Sequence, residues 1–170
     1  RKLMTRRLSR EESQAKTRTA LLAAAKDVFT EMGISGASID GIVARAGYSK
    51  GAFYSNFSSK EAILIELLRQ HMESEESALR GVLSVASDVE DLYARLAQLF
   101  EAMPADPSIS ILDLEFQLLA VRSPEVRQRY VQAWSGHLAS LEELVNLTMK
   151  RLKFRLSIST AELLENISAL

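Results

Sequence analysis

The chain has 170 residues, 47% of them hydrophobic and 25% charged, with no cysteine, 7 glycines and 3 prolines. Those proportions exclude disordered, collagen-like and disulfide-stapled chains, and so few turn formers leave a mainly helical protein. The net charge of −1 is segregated: residues 1–60 carry 11 Lys+Arg against 5 Asp+Glu, and residues 61–170 carry 10 against 17, as for a basic head that meets a polyanion and an acidic body that does not.

The first fifteen residues are dense in Arg and Lys without an apolar period, and they read as a flexible basic arm lacking the apolar core of a signal peptide. From Lys16 onward, Leu21, Leu22, Ala25, Val28, Phe29 and Met32 recur at helical spacing, and Gly33 supplies a C-terminal cap. Ser38 is placed to cap a second, short helix that buries Ile39, Ile42, Val43 and Ala46 and stops at Gly47. Ser49 then caps a third, from Lys50 to Asn56, which turns Phe53 and Phe57 inward and leaves Lys50, Gly51, Tyr54 and Ser55 on other faces.

Three capping boxes, Ser58 with Glu61, Ser87 with Glu90 and Ser159 with Glu162, announce further helices. The fourth follows Leu64, Leu68, Met72, Leu79 and Leu83, and the fifth follows Leu92, Leu96, Leu99, Phe100 and Met103 to Pro104. Residues Ile109 to Val121 alternate in part like a strand, but they are read as a buried helix. Leu112, Phe116 and Leu119 fit one helical stripe, and Ile111, Leu114, Leu118 and Val121 fit its neighbour. Ser123 and Pro124 open a long seventh helix through Val126, Tyr130, Trp134, Leu138, Leu141 and Val145. An eighth begins near Thr160 and runs into Leu163, Leu164, Ile167 and Leu170. With Arg1 at the start, the chain is expected to be a fragment of something longer, and no apolar run is long enough for a membrane span.

The densest chemistry lies in residues 38–60, where two short helices joined by a glycine turn have the form of a helix-turn-helix, whose second helix is narrow enough for the major groove. Lys50 can reach a guanine edge or a phosphate, and Gly51 and Ala52 let the backbone come close to the bases. Ser38, Tyr54 and Ser55 offer hydroxyls, and Lys60 puts a cation beside the next helix N-terminus. The same residues also fit a structural role, with Ser38 and Ser49 as caps and Tyr54 as packing. An interaction or ligand-binding protein whose basic head contacts an acidic protein or lipid remains open on these grounds.

From Arg18 to Leu68 the sequence resembles the DNA-binding domain of TetR-type bacterial transcriptional regulators, in the segments ALLAAAKDVFTEMG, ASIDGIVARAGYSKG and FYSNFSSKEAIL. The resemblance implies an all-α protein with a flexible arm at 1–15, a three-helix DNA-binding domain at 16–62 and an antiparallel helical ligand-binding and dimerisation domain at 63–170, incomplete at its C-terminus. It implies that Lys50, Gly51, Ala52, Ser55 and Asn56 face bases, while Ser38, Tyr48, Ser49, Tyr54 and Lys60 hold phosphates. Arg6 and Arg7 would reach the minor groove.

Further implied are a cytoplasmic homodimer held by C-terminal helices, a palindromic double-stranded operator, and control, as a repressor, by a small-molecule effector among helices 4 to 7. Tyr93, Phe100, Met103, Phe116, Trp134 and His137 are the candidate pocket residues. No cofactor, metal or membrane is implied, and no catalysis. Gly47-Tyr48-Ser49-Lys50-Gly51 does match a hydrolase nucleophile elbow, but helical spacing precedes it where a strand is required. The sequons at Asn56, Asn146 and Asn166 lie in or beside expected helices without a secretory signal.

Overall fold

A computed structural model describes residues 9–102 and 107–162. The described residues form seven helices, α1 (Arg10–Gly36), α2 (Ile39–Ala46), α3 (Lys50–Tyr54), α4 (Lys60–Val85), α5 (Val89–Ala102), α6 (Pro107–Arg122) and α7 (Pro124–Arg151), followed by a helical turn from Thr160. The all-α expectation holds, with no strand among the described residues. Arg6, Arg7, Met103, Pro104 and the continuation through Leu163, Leu164, Asn166, Ile167 and Leu170 lie outside them.

The chain divides into two compact units. One contains the described residues of Arg1–Leu68 together with Ser108–Val126, and the other those of Arg69–Pro107 and Arg127–Leu170.

In the first unit, α1 starts at Arg10, six residues before the expected Lys16, so residues 10–15 are helical and do not belong to a flexible arm. The cause is a capping box. The Ser9 hydroxyl accepts the Glu12 N–H at 3.1 Å, and the Glu12 carboxylate accepts the Ser9 N–H at 2.7 Å. Leu21, Leu22, Ala25, Val28 and Phe29 form the buried face of α1. Gly33 interrupts the rod with φ 69°, a left-handed value natural to glycine, before a last turn ends at Ala37.

Ser38 caps α2 by accepting the Gly41 N–H at 3.1 Å, and Gly47, at φ 72°, ends it in a Schellman-type turn with Tyr48 N–H donating to the Val43 carbonyl. The fourth helix is capped by Ser59, which accepts the Ala62 N–H at 3.1 Å, and not by Ser58 as expected. On α6, Ile109, Leu112, Phe116 and Ala120 are buried. The second stripe expected inside, Ile111, Leu114, Leu118 and Val121, is exposed, so the helix buries one face only.

The second unit is built around Leu83, Ala86, Leu92 and Leu144, with Leu79, Val82, Leu96, Val145, Met149 and Leu152 packed against them. Its α5 is capped by Asp88, whose carboxylate accepts the Asp91 N–H at 2.8 Å, while Asp91 accepts the Ser87 N–H at 2.9 Å. The expected Ser87 and Glu90 box is therefore displaced by one residue. Arg151 donates to the carbonyls of Leu83 and Ala86, satisfying acceptors left open at the end of α4. Ser159 and Glu162 make the expected box, with Glu162 N–H donating to the Ser159 hydroxyl at 3.2 Å and Ser159 N–H to the Glu162 carboxylate at 2.9 Å.

Candidate nucleic-acid interface

Residues 38–57 form a helix-turn-helix whose second helix is anchored by two aromatic rings. Phe53 is fully buried and Phe57 nearly so, with ring centroids 5.9 Å apart. Phe57 lies past the end of the helix, but its N–H donates to the Phe53 carbonyl at 2.8 Å, and with both rings buried the opposite face is turned outward. Ser49, Lys50, Gly51, Tyr54 and Ser55 are exposed there, Ala52 is half-buried, and the Tyr54 ring stands edge-on to Phe53 at 5.5 Å. Ser49 accepts the Ala52 N–H at 3.1 Å, which fixes where the helix begins.

The third helix ends at Tyr54, two residues before the expected Asn56. The Asn56 side-chain amide donates to the Ala52 carbonyl at 2.8 Å, and the Ser55 hydroxyl donates to the same oxygen at 2.9 Å. Asn56, assigned to base reading from the resemblance, is half-buried just past the end of the helix.

Lys60 is tied into the scaffold. Its ammonium donates to the carbonyls of Ile34 at 2.7 Å and Ala37 at 2.9 Å, closing the turn between α1 and α2. Two of its three N–H bonds are thereby directed inside the protein, clamping the scaffold, and one is left for a further acceptor. Ser38 is exposed at the N-cap of α2, and Tyr48 is half-buried just before the Ser49 cap of α3.

Three supports of the site had no local signal. Arg18 donates to the Asn56 carbonyl, 38 positions on, at 3.1 Å, pairs with Glu66 at 3.1 Å and lies 4.4 Å over the Phe57 ring, tying α1 to the end of α3. Arg45 makes a bidentate pair with Glu31 at 2.6 Å, and that guanidinium holds the Glu31 carboxyl below its ordinary value. On the outer face, the Lys50 ammonium is 2.8 Å from the Asp40 carboxylate, which raises the lysine above its ordinary value.

The residues expected to line a ligand pocket have varied settings. Phe116 is buried in the first unit. In the second, Tyr93 and Phe100 are exposed on α5, and Trp134 stacks on Tyr130 at 4.8 Å. His137 Nδ1 is 3.4 Å from Glu76 Oε2, while Glu76 accepts from the Ser140 hydroxyl at 2.6 Å and the Arg80 guanidinium at 2.8 Å. An open groove of about 410 Å³ beside α7 is lined by Ala139, Glu142, Glu143, Asn146, Leu147 and Lys150, none of them among those candidates.

Ser49 follows a helix, as a nucleophile elbow does not, and at the Asn146 sequon the side-chain oxygen accepts from the Thr160 hydroxyl at 2.6 Å. Among the described residues no helix is long and apolar enough to cross a membrane, and no group of three or more metal-ligating side chains occurs.

Residues 21–67 match the model of the bacterial regulatory proteins, tetR family. The HTH-type transcriptional activator FasR of Mycolicibacterium smegmatis is 37% identical over 82 residues, 48% of this chain and 36% of that protein. The HTH-type transcriptional regulator EthR of Mycobacterium tuberculosis is 24% identical over 125 residues, 72% of this chain and 58% of its own length. The chain thus spans between about a third and three-fifths of these relatives. The solved structure of the transcriptional regulator FadR from Bacillus subtilis, in complex with stearoyl-CoA, shares the fold at a TM-score of 0.64 and 21% identity, over 84% of this chain and 76% of that one.

Proposed function

We propose that this chain is a member of the tetR family of bacterial regulatory proteins, that it reads an operator in double-stranded DNA with α3, and that it does no catalysis. Lys50, Gly51, Ala52, Ser55 and Asn56 face base edges, and Ser38, Tyr48, Ser49, Tyr54 and Lys60 hold phosphates. Arg6 and Arg7 reach the adjacent minor groove. The observation that carries this reading is the orientation of α3, with Phe53 and Phe57 inside and Lys50, Tyr54 and Ser55 outside on a helix narrow enough for the major groove.

A cytoplasmic homodimer would hold two such helices about 34 to 36 Å apart, on a palindromic site read in successive major grooves. A small-molecule effector bound by the second unit would change that separation and release the operator, making the protein a repressor. The similar protein FasR is an activator by name, and FadR was solved with stearoyl-CoA.

Selection of bound duplexes from a random pool tests the reading. Recovery of an inverted repeat is the expected result, with affinity falling about a thousandfold between roughly 50 and 200 mM salt if six or more phosphates are touched. Lys50→Ala and Ser55→Ala are expected to change which duplexes are recovered. Binding indifferent to base sequence would instead favour a head that contacts acidic protein or lipid.

A further inference from the structure

The carboxylate of Asp40 occupies the surface assigned to DNA, where an anion is out of place. Asp40 lies in the first turn of α2, with a side chain 69% exposed, and Lys50 opens α3 with a side chain 57% exposed. The cap of α2 is already supplied by Ser38. Exposure rules out a core role for Asp40, and its partner is the lysine best placed to enter the groove, at 2.8 Å.

We propose that Asp40 is a specificity residue which directs Lys50 toward a guanine edge and away from phosphates. The inference rests on the DNA-reading assignment above. A lysine ammonium is a compact, rotatable charge that binds any phosphate on a duplex, whatever the sequence. With one N–H held by Asp40, two remain. Guanine presents two neutral acceptors, O6 and N7, in the major groove, so Asp40, Lys50 and guanine together form a chain with only one negative member. Replacing guanine by a phosphate would bring a second anion against the Asp40 carboxylate. The pair therefore penalises the contact without sequence information and leaves the informative one intact.

The test measures binding of the full chain to its selected duplex and to random duplex, for wild type, Asp40→Asn, Lys50→Ala and the double variant. Asp40→Asn is expected to strengthen random-duplex binding by about three- to tenfold at roughly 100 mM salt and to steepen its salt slope by up to about one. It should also weaken discrimination against substitution of the contacted guanine, while Asp40→Glu largely retains it. Lys50→Ala should abolish each of these effects. Equal strengthening on both duplexes, or an undiminished effect of Asp40→Asn in the Lys50→Ala background, would overturn the proposal and leave Asp40 a bulk charge. Failure of the wild-type chain to prefer any duplex is a different outcome, which overturns the DNA-reading assignment and this proposal together.

Discussion

The Glu115 carboxylate on α6 accepts the backbone N–H of Ile34 at 2.6 Å, joining residues 81 positions apart at the turn that leads into the helix-turn-helix. A charge-assisted bond to a part-buried amide is among the stronger hydrogen bonds in a protein. Glu115→Ala is expected to cost about 2 kcal/mol, measured by urea denaturation, and Glu115→Gln less.

Gly33 lies against the same carboxylate. A Cβ there would stand 3.2 Å from both Glu115 oxygens, on a residue whose φ is 69°. Gly33→Ala is expected to destabilise the chain by about 1–2 kcal/mol from the backbone alone, and a thermal melt with and without Glu115→Ala will separate that strain from the crowding.

Lys60 grips the turn from the other side. Replacing it with Met keeps the stem and removes the ammonium that binds Ile34 and Ala37 carbonyls, which leaves two part-buried acceptors unmet. The expected loss is about 2–3 kcal/mol by chemical denaturation. A residue that served only to hold phosphate would leave the unfolding midpoint of the free protein unchanged.

Glu76 gives the second unit a defined response to acid. Hydrogen bonds from Ser140 and then Arg80 hold its carboxyl below the ordinary 4.5, against the opposing effect of burial. Because the folded value is depressed, the unfolded chain takes up the proton first. The stabilisation is complete above about pH 4.5 and is lost as pH falls through the folded value. Denaturation midpoints measured downward from neutral pH should therefore decline in the wild type below that point, and Glu76→Gln should flatten the decline while lowering stability at neutral pH.

Arg18 offers a test of positioning. Arg18→Met is expected to cost about 1–2 kcal/mol, through lost bonds to Asn56 and Glu66 and the lost ring contact with Phe57. With α3 less firmly seated, all duplexes should bind more weakly in a gel-shift titration, with the order of preference kept.

What could be read from the chain in advance followed the range of each interaction. Helical periodicity located Phe53 and Phe57 in the core and Lys50 and Ser55 outside it, because the repeat that buries one face exposes the other. Caps were legible only to within a residue: Ser58 and Ser59 are both competent, as are Ser87 and Asp88, and backbone geometry decides between them. The box at Ser9 and Glu12 was present in the sequence but stood in a polar run, with no apolar period until Leu21 to mark it as helix. Arg18 with Asn56, Lys60 with Ile34 and Glu115 with Ile34 join distant segments, so a single sequence held no sign of them. The scaffold contacts of Lys60 went unread for that reason. A lysine beside a helix N-terminus has the same local signature whether it meets a phosphate or a carbonyl.

The two serine caps carry a consequence for how such a surface can change over evolutionary time. At Ser38 and Ser49 the hydroxyl oxygen receives an amide proton from its own helix, and its remaining proton can still be given to an incoming anion. On the proposed DNA-reading assignment, one atom would serve architecture and docking at once. Retuning affinity at either place would disturb the scaffold as well, and drift toward a new target sequence would be channelled to Lys50, Ala52 and Ser55, whose side chains start no helix.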